Sequence, residues 1–136
     1  MILLAPDVIL DVLLARAPHA EPAARLLDRV VRGDLEATMS AGTAALAWQV
    51  AERAVGTQAA RGLVEQLLAL VPVTPLGGTT LLEALAAPIA DADAALLHAT
   101  AIAATAGTIV TREPRQFEGS TRAIRSPAEV LATLPG

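Results

Sequence analysis

Apolar and polar positions along this chain fall into short blocks of two different periods. Met1-Ile2-Leu3-Leu4-Ala5 is an uninterrupted apolar run, the pattern of a strand buried on both faces. Pro6-Asp7 ends it. Ile9, Val12, Leu13 and Arg16 then recur at helical spacing, which predicts a helix over Val8–Arg16 with Asp7 as its N-cap. Ala17-Pro18 breaks that helix. Leu26, Leu27, Val30 and Val31 form the stripe of a second helix, from His19 or Ala20 to Arg32, with Pro22 in its first turn and Gly33 as its stop. Leu35–Met39 alternates weakly and predicts a second strand. Helices follow over Thr43–Ala54 and Gln58–Leu70, the latter capped by Thr57. Prolines bracket Val73-Thr74, the mark of a short edge strand, and Gly77-Gly78-Thr79 opens a short helix that ends before Pro88.

Asp91–Ala106 is the segment around which the rest is organised. It predicts a helix whose two first-turn acids suit the positive end of the helix dipole. Gly107 stops it, and Thr108–Thr111 predicts the strand that follows. Pro114–Gly119 reads as a loop and Thr121–Arg125 as a last, weak strand. Ser126-Pro127 with Glu129 carries the start signal of a final helix. Strands alternating with helices through short connections predict an α/β fold of three layers, α/β/α, around a parallel sheet of about four or five strands. A length of 136 residues suits one domain spanning 1–136.

Composition narrows the picture. Aromatic residues are 1% of the chain although apolar residues are 54%, so the core must be Ala, Leu, Val and Ile. There is no Cys, which excludes disulfides, thiol nucleophiles and thiolate zinc sites. Every basic residue other than the two His is Arg. The missing Lys excludes Schiff-base chemistry and a Walker-type phosphate loop. A net charge of −4 disfavours general nucleic-acid affinity and leaves only local arginine clusters to hold phosphates. Mean hydropathy is high, at +0.52, yet no apolar run approaches the roughly 18 residues of a membrane span. The apolar N-terminus lacks a basic flank, and Asp7 and Asp11 interrupt it, so it does not read as a signal peptide. The expectation is a cytoplasmic protein whose surplus apolar surface supports a homo-oligomer.

In an open parallel sheet, chemistry sits beyond the carboxyl ends of the strands. That rule singles out Thr111, Arg112 and Glu113. Arg112 could contact a phosphate or pair with Glu113 or Asp91, and Thr111 could orient a water or simply pack. Asp11 could position a backbone group or an arginine, though such a residue is more often a solvated helix face or a local ion-pair partner. His98 and His19 have no spacing that pairs them and read as structural or exposed. Trp48 and Phe117 read as packing residues. Arg25, Arg29 and Arg32 form one basic helical stripe, usually a solvated face and less often an RNA track.

Several phrases, in order, are similar to the PIN domain of VapC-type toxins. They are Val8-Ile9-Leu10-Asp11-Val12-Leu13-Leu14-Ala15-Arg16-Ala17-Pro18, Met39-Ser40-Ala41, Asp91 to Ala101, Ile109-Val110-Thr111-Arg112, Phe117, and Ile124 to Leu131. The resemblance implies a toxin of a toxin–antitoxin pair, an endoribonuclease acting on single-stranded RNA, with an antitoxin protein as partner. It also implies acidic residues at the strand ends that hold Mg²⁺ or Mn²⁺ and activate water; hard divalent ions take oxygen ligands. The chain departs from the family at those acids. Where the family ends its first strand with Asp-Thr-Asn, this chain has Ala5-Pro6-Asp7. The family's helical acid falls on Ala94, and the acid of its third helix falls among Ala45, Leu46 and Ala47. Neighbouring acids could replace them: Asp7 lies two residues past Ala5, Asp91 one turn before Ala94, and Glu113 follows Thr111-Arg112. Three readings therefore stand: weakened or lost nuclease activity; an active enzyme with Asp7, Asp91 and Glu113 as metal ligands and Asp93 beside them; and a non-catalytic binding or dimerisation module.

Overall fold

The computed structural model describes residues 1–136. Five parallel strands, β1 (Ile2–Leu4), β2 (Ala37–Ser40), β3 (Val73–Thr74), β4 (Thr108–Val110) and β5 (Ala123–Arg125), lie in the order β3-β2-β1-β4-β5. Seven helices cover the sheet: α1 (Pro6–Leu13), α2 (Ala20–Val31), α3 (Ala41–Val55), α4 (Thr57–Leu70), α5 (Gly78–Ala86), α6 (Ala92–Ala103) and α7 (Pro127–Ala132). This is the expected three-layer α/β/α arrangement.

The alternation along β1 divides the core into two layers. Ile2 and Leu4 pack with Val8, Ile9, Leu26, Met39, Leu67, Val110 and Val130 on one face. Leu3 and Ala5 pack with Ala84, Leu97, Ala101, Ile109 and Phe117 on the other. Alanines on α6 let that helix sit close to the sheet, which is how a chain almost without aromatics fills its interior. β3 is the two-residue edge strand that its flanking prolines imply. No helix is long and apolar enough to cross a membrane.

Several local expectations are corrected. Ala5, in extended conformation, is the N-cap of α1, with Pro6 at the first helical position; Asp7 lies inside the first turn, and its side chain turns elsewhere. α1 stops at Leu13 rather than Arg16, before Ala15 in the left-handed region. The Ser40 hydroxyl caps α3 by accepting the Thr43 backbone N–H at 2.9 Å, so the helix starts at Ala41 rather than Thr43. Gly56, not Thr57, caps α4. Part of the expected loop, Pro114–Phe117, is a 3₁₀ turn. At α7 the Ser126–Glu129 capping box forms as the sequence predicts. Its double hydrogen bond to Ser126 holds the Glu129 carboxyl below the usual carboxylate range.

Candidate functional site

β1 and β4 are neighbours, with Leu4 opposite Val110. Their carboxyl ends therefore open side by side, and the chain turns there into α1 after β1 and into Thr111-Arg112-Glu113 after β4. A cleft of about 430 Å³ lies at this end of the sheet. Ala5 and Thr111 form its floor at the strand ends, and Asp7, Asp93 and Glu113 are its acidic members. Leu46, Leu76, Leu97 and Phe117 supply apolar wall, and Ser40, Thr43 and Thr100 supply hydroxyls. Those hydroxyls are engaged within the protein: Ser40 donates to Thr43 at 3.0 Å, and Thr100 donates to the Leu96 carbonyl at 2.8 Å.

The Asp7 carboxylate reaches across to the end of β4. It accepts the Arg112 backbone N–H at 2.7 Å and the Thr111 hydroxyl at 3.1 and 3.2 Å. The Thr111 oxygen in turn accepts the Glu113 backbone N–H at 3.0 Å. One carboxylate thus fixes the turn that carries Thr111, Arg112 and Glu113 against the start of α1.

Beneath this latch lies an ion-pair network around one buried carboxylate. The Asp11 side chain is 1% exposed and accepts from Arg112 Nε at 2.6 Å, Arg112 Nη2 at 3.2 Å and Arg16 Nε at 3.1 Å. The Asp11 hydrogen bond raises the Arg112 pKa above its ordinary value, with the negative field of Asp11, Asp7 and Glu113 adding to it against the opposing effect of burial. Asp11 is therefore not a solvated helix face, and Arg112 pairs with it rather than with Glu113 or Asp91. The guanidinium turns away from the cleft.

The remaining candidates lie around the helix start. The Asp91 carboxylate accepts the Ala94 backbone N–H at 2.9 Å and is the N-cap of α6; it does not line the cleft. Asp93, two residues on, does, as does Glu113, and both are exposed. No three His, Cys, Asp or Glu side chains stand close enough together to hold a metal ion. Of the residues predicted from the sequence, the structure brings Asp7, Thr111 and the Arg112 backbone into direct contact. It places Asp93 and Glu113 on the same cleft and leaves Asp91 outside it.

Other features correct the sequence reading. Trp48 is exposed, with the Arg61 guanidinium 5.4 Å from its ring centre, whereas Phe117 is buried as expected. Arg29 and Arg32 pair with Asp34 and Asp28, so two of the three stripe arginines are neutralised locally. Sequence reasoning did not single out Ser40, Thr43 and Thr100 as cleft residues; only the Ser-x-x-Thr spacing before α3 hints at the first two.

The family model for the PIN domain matches residues 2–115, spanning β1 through the strand end that carries Glu113. This chain is a member of the PIN domain family. No curated protein sequence matches it. Among solved structures it is similar to FitAcB from Neisseria gonorrhoeae, with 24% identity and a TM-score of 0.70 over 94% of this chain and 99% of that one. It is also similar to VapBC2 from Rickettsia felis, solved on a DNA fragment from the promoter, with 15% identity and a TM-score of 0.71 over 93% and 98%. VapC20 of Mycobacterium tuberculosis, described as a sarcin-ricin loop cleaving toxin, matches at 16% identity and a TM-score of 0.64 over 80% and 87%. In this PIN domain Ala5 lines the cleft, Leu46 projects into it from α3, and Ala94 is buried in the first turn of α6.

Proposed function

We propose that this PIN domain is a toxin-type protein of a toxin–antitoxin pair whose metal-dependent endoribonuclease activity is weakened or lost. One observation carries the reading: the acids around the cleft do not converge into a group that can hold a metal ion. A hard divalent ion takes several oxygen ligands at about 2.0–2.6 Å. Asp7 gives its carboxylate to Thr111 and Arg112, Asp91 caps α6, and Asp93 and Glu113 line the cleft without a third acid that completes a metal-holding group. The donor set as it stands does not fit Mg²⁺ or Mn²⁺, and no catalytic step is derived through one. Ala5, Ala94 and one of Ala45, Leu46 and Ala47 stand where the resemblance puts the family's carboxylates. The neighbouring structures support the biological frame. VapBC2 is a complex on promoter DNA, which favours an antitoxin partner, and VapC20 is described as a sarcin-ricin loop cleaving toxin, which favours the toxin role; single-stranded RNA as the substrate class is what the family resemblance implies. A cytoplasmic homo-oligomer suits that role.

A second reading keeps nuclease activity through a shifted cluster. Its support is that Asp7, Asp93 and Glu113 line one cleft. Calorimetric titration with Mn²⁺, followed by RNA cleavage assays, separates the two readings. We expect no saturable binding at millimolar metal and no metal-dependent cleavage. Cleavage that Asp7→Asn or Asp93→Asn abolishes establishes the active enzyme instead. If neither activity nor metal binding is found, the protein acts as a binding module, and its antitoxin complex becomes the object to isolate.

A further inference from the structure

Helix α5 is built inside out. Its buried residues are Thr80 and Ala84, while Leu81, Leu82 and Leu85 face solvent, the last two at 68% and 84% exposure. A helix on a globular surface turns its large apolar side chains inward, and one that is apolar all round is covered on both sides. The neighbouring segments repeat the pattern. Leu68 and Leu70 at the end of α4 and Val73 in β3 are exposed as well. The stretch from Leu68 to Leu85 thus carries six exposed large apolar side chains and a single charged residue, Glu83. Outside the region between Leu46 and Ile102, the only exposed large apolar residues are Met1 and Val31.

These segments share one edge of the molecule. β3 is the end strand of the sheet and pairs only with β2; α4 runs into it and α5 leaves it. α4 packs on α3 and α5 on α6, and the outer faces of α4 and α5 are left uncovered. Pro72 and Pro75 bracket β3, which stops the sheet from continuing into another chain. A partner at this edge therefore packs on helices. The exposed area fits such a partner. A monomer of 13.9 kDa exposes about 6,700 Å², whereas this chain exposes 7279 Å². The surplus of roughly 600 Å² approaches the roughly 800 Å² that each side buries in a stable complex.

We infer that two copies of this chain pack face to face across the edge formed by α4, β3 and α5, with Leu82 and Leu85 at the centre of the contact. A contact about a two-fold axis has to be self-complementary. A nearly uncharged apolar face satisfies that condition, because it meets its own copy without like-charge repulsion. The stretch holds no Arg, so a nucleic acid finds no cation there. The homo-oligomer of the proposed function gains its surface in this way, and the pairing holds whether or not nuclease activity survives. Leu76, between β3 and α5, is a wall of the cleft, so the second copy stands beside the cleft at that wall.

The test is analytical ultracentrifugation of the full chain alone, from nanomolar to high micromolar concentration. Neither metal nor RNA enters it, so its outcome is independent of the nuclease assays. We expect twice the 13.9 kDa chain mass at micromolar concentration. The double substitution Leu82→Glu, Leu85→Glu should weaken association at least about a hundredfold, since each buried anchor is lost from both copies. Val31→Glu, at an exposed position on α2, should leave it unchanged. Circular dichroism checks that the double variant folds. Hydrogen exchange on the wild type locates the face without any substitution: α5 amides should exchange more slowly in concentrated than in dilute samples, and α2 amides should not. A wild type that stays monomeric at high micromolar concentration overturns the inference and leaves the face to a different protein. A dimer that survives the α5 substitutions, or whose α5 exchange ignores concentration, overturns it too.

Discussion

Asp11→Ala tests how strongly the end of β4 is tied to α1. Asp11 is almost fully buried, while the side chains of its partners Arg112 and Arg16 are 26% and 41% exposed. Removing one member of a fully buried ion pair costs about 3–5 kcal/mol, because the other charge is left behind without a partner. Here both guanidiniums keep access to water and can rehydrate. The Arg16 contact behaves as a surface pair of about 0–1 kcal/mol. The two-pronged Arg112 contact, at 2.6 and 3.2 Å, then dominates, and the expected loss is about 2–3 kcal/mol. At this chain length that lowers Tm by about 6–12 °C. The assay is urea unfolding of Asp11→Ala, Arg112→Ala, Arg16→Ala and the Asp11/Arg112 double variant. We expect Arg16→Ala to cost no more than about 1 kcal/mol, and the double-mutant cycle to give at least about 1 kcal/mol of coupling between Asp11 and Arg112. A loss below about 1 kcal/mol for Asp11→Ala, or coupling near zero, refutes the reasoning. The network is then electrostatically neutral, with desolvation cancelling attraction.

Three further outcomes follow from the same geometry. Asp7→Ala removes the acceptor of the Arg112 backbone N–H and the Thr111 hydroxyl, and should cost about 1–2 kcal/mol in chemical denaturation; a gain in stability instead shows that repulsion among the cleft acids dominates. Gly119→Ala puts a Cβ 2.1 Å from the Pro88 carbonyl oxygen at a positive φ, so a loss of about 3 kcal/mol or more is expected from thermal unfolding. His98 has a depressed folded pKa, so between that value and the ordinary 6.5 the unfolded chain binds more protons. Its contribution to stability is complete above pH 6.5 and fades as pH falls through the window below it; Tm measured against pH should show that slope, and His98→Asn should flatten it.

The layers of the fold were legible because the central strands β1 and β4 are apolar runs cut by Gly, Pro or an acid, whereas the outer strands showed only through weak alternation or bracketing prolines. Met1–Ala5 and Thr108–Thr111 need only their own residues to declare burial. Ser126-Pro127 with Glu129 likewise declares the capping box from adjacent positions. The site was legible only in outline. The strand-end rule led to Thr111, Arg112 and Glu113, but the partner of Asp7 lies more than a hundred residues away. With that partner unknown, the local preference for an N-cap was the natural reading of Asp7. Asp11 was missed as a buried group for the same reason: a carboxylate on an amphipathic helix looks solvated unless a guanidinium from another strand is known to cover it. Asp93 rather than Asp91 faces the cleft because α6 begins at Ala92, a one-residue boundary that hydrophobic spacing does not resolve.

The central place of β1 has a consequence for the chain as it leaves the ribosome. β2 can pair with β1 once about the first forty residues are out, but the other edge of β1 waits for β4, some seventy residues later. During that interval a short, wholly apolar strand presents open N–H and C=O groups, and Asp11 lacks its main counter-charge. At about 5–20 residues per second the exposure lasts several seconds. The nascent N-terminal half is thus the stretch of synthesis most in need of a holding chaperone, and truncation products ending before residue 108 are the forms of this protein most prone to aggregate.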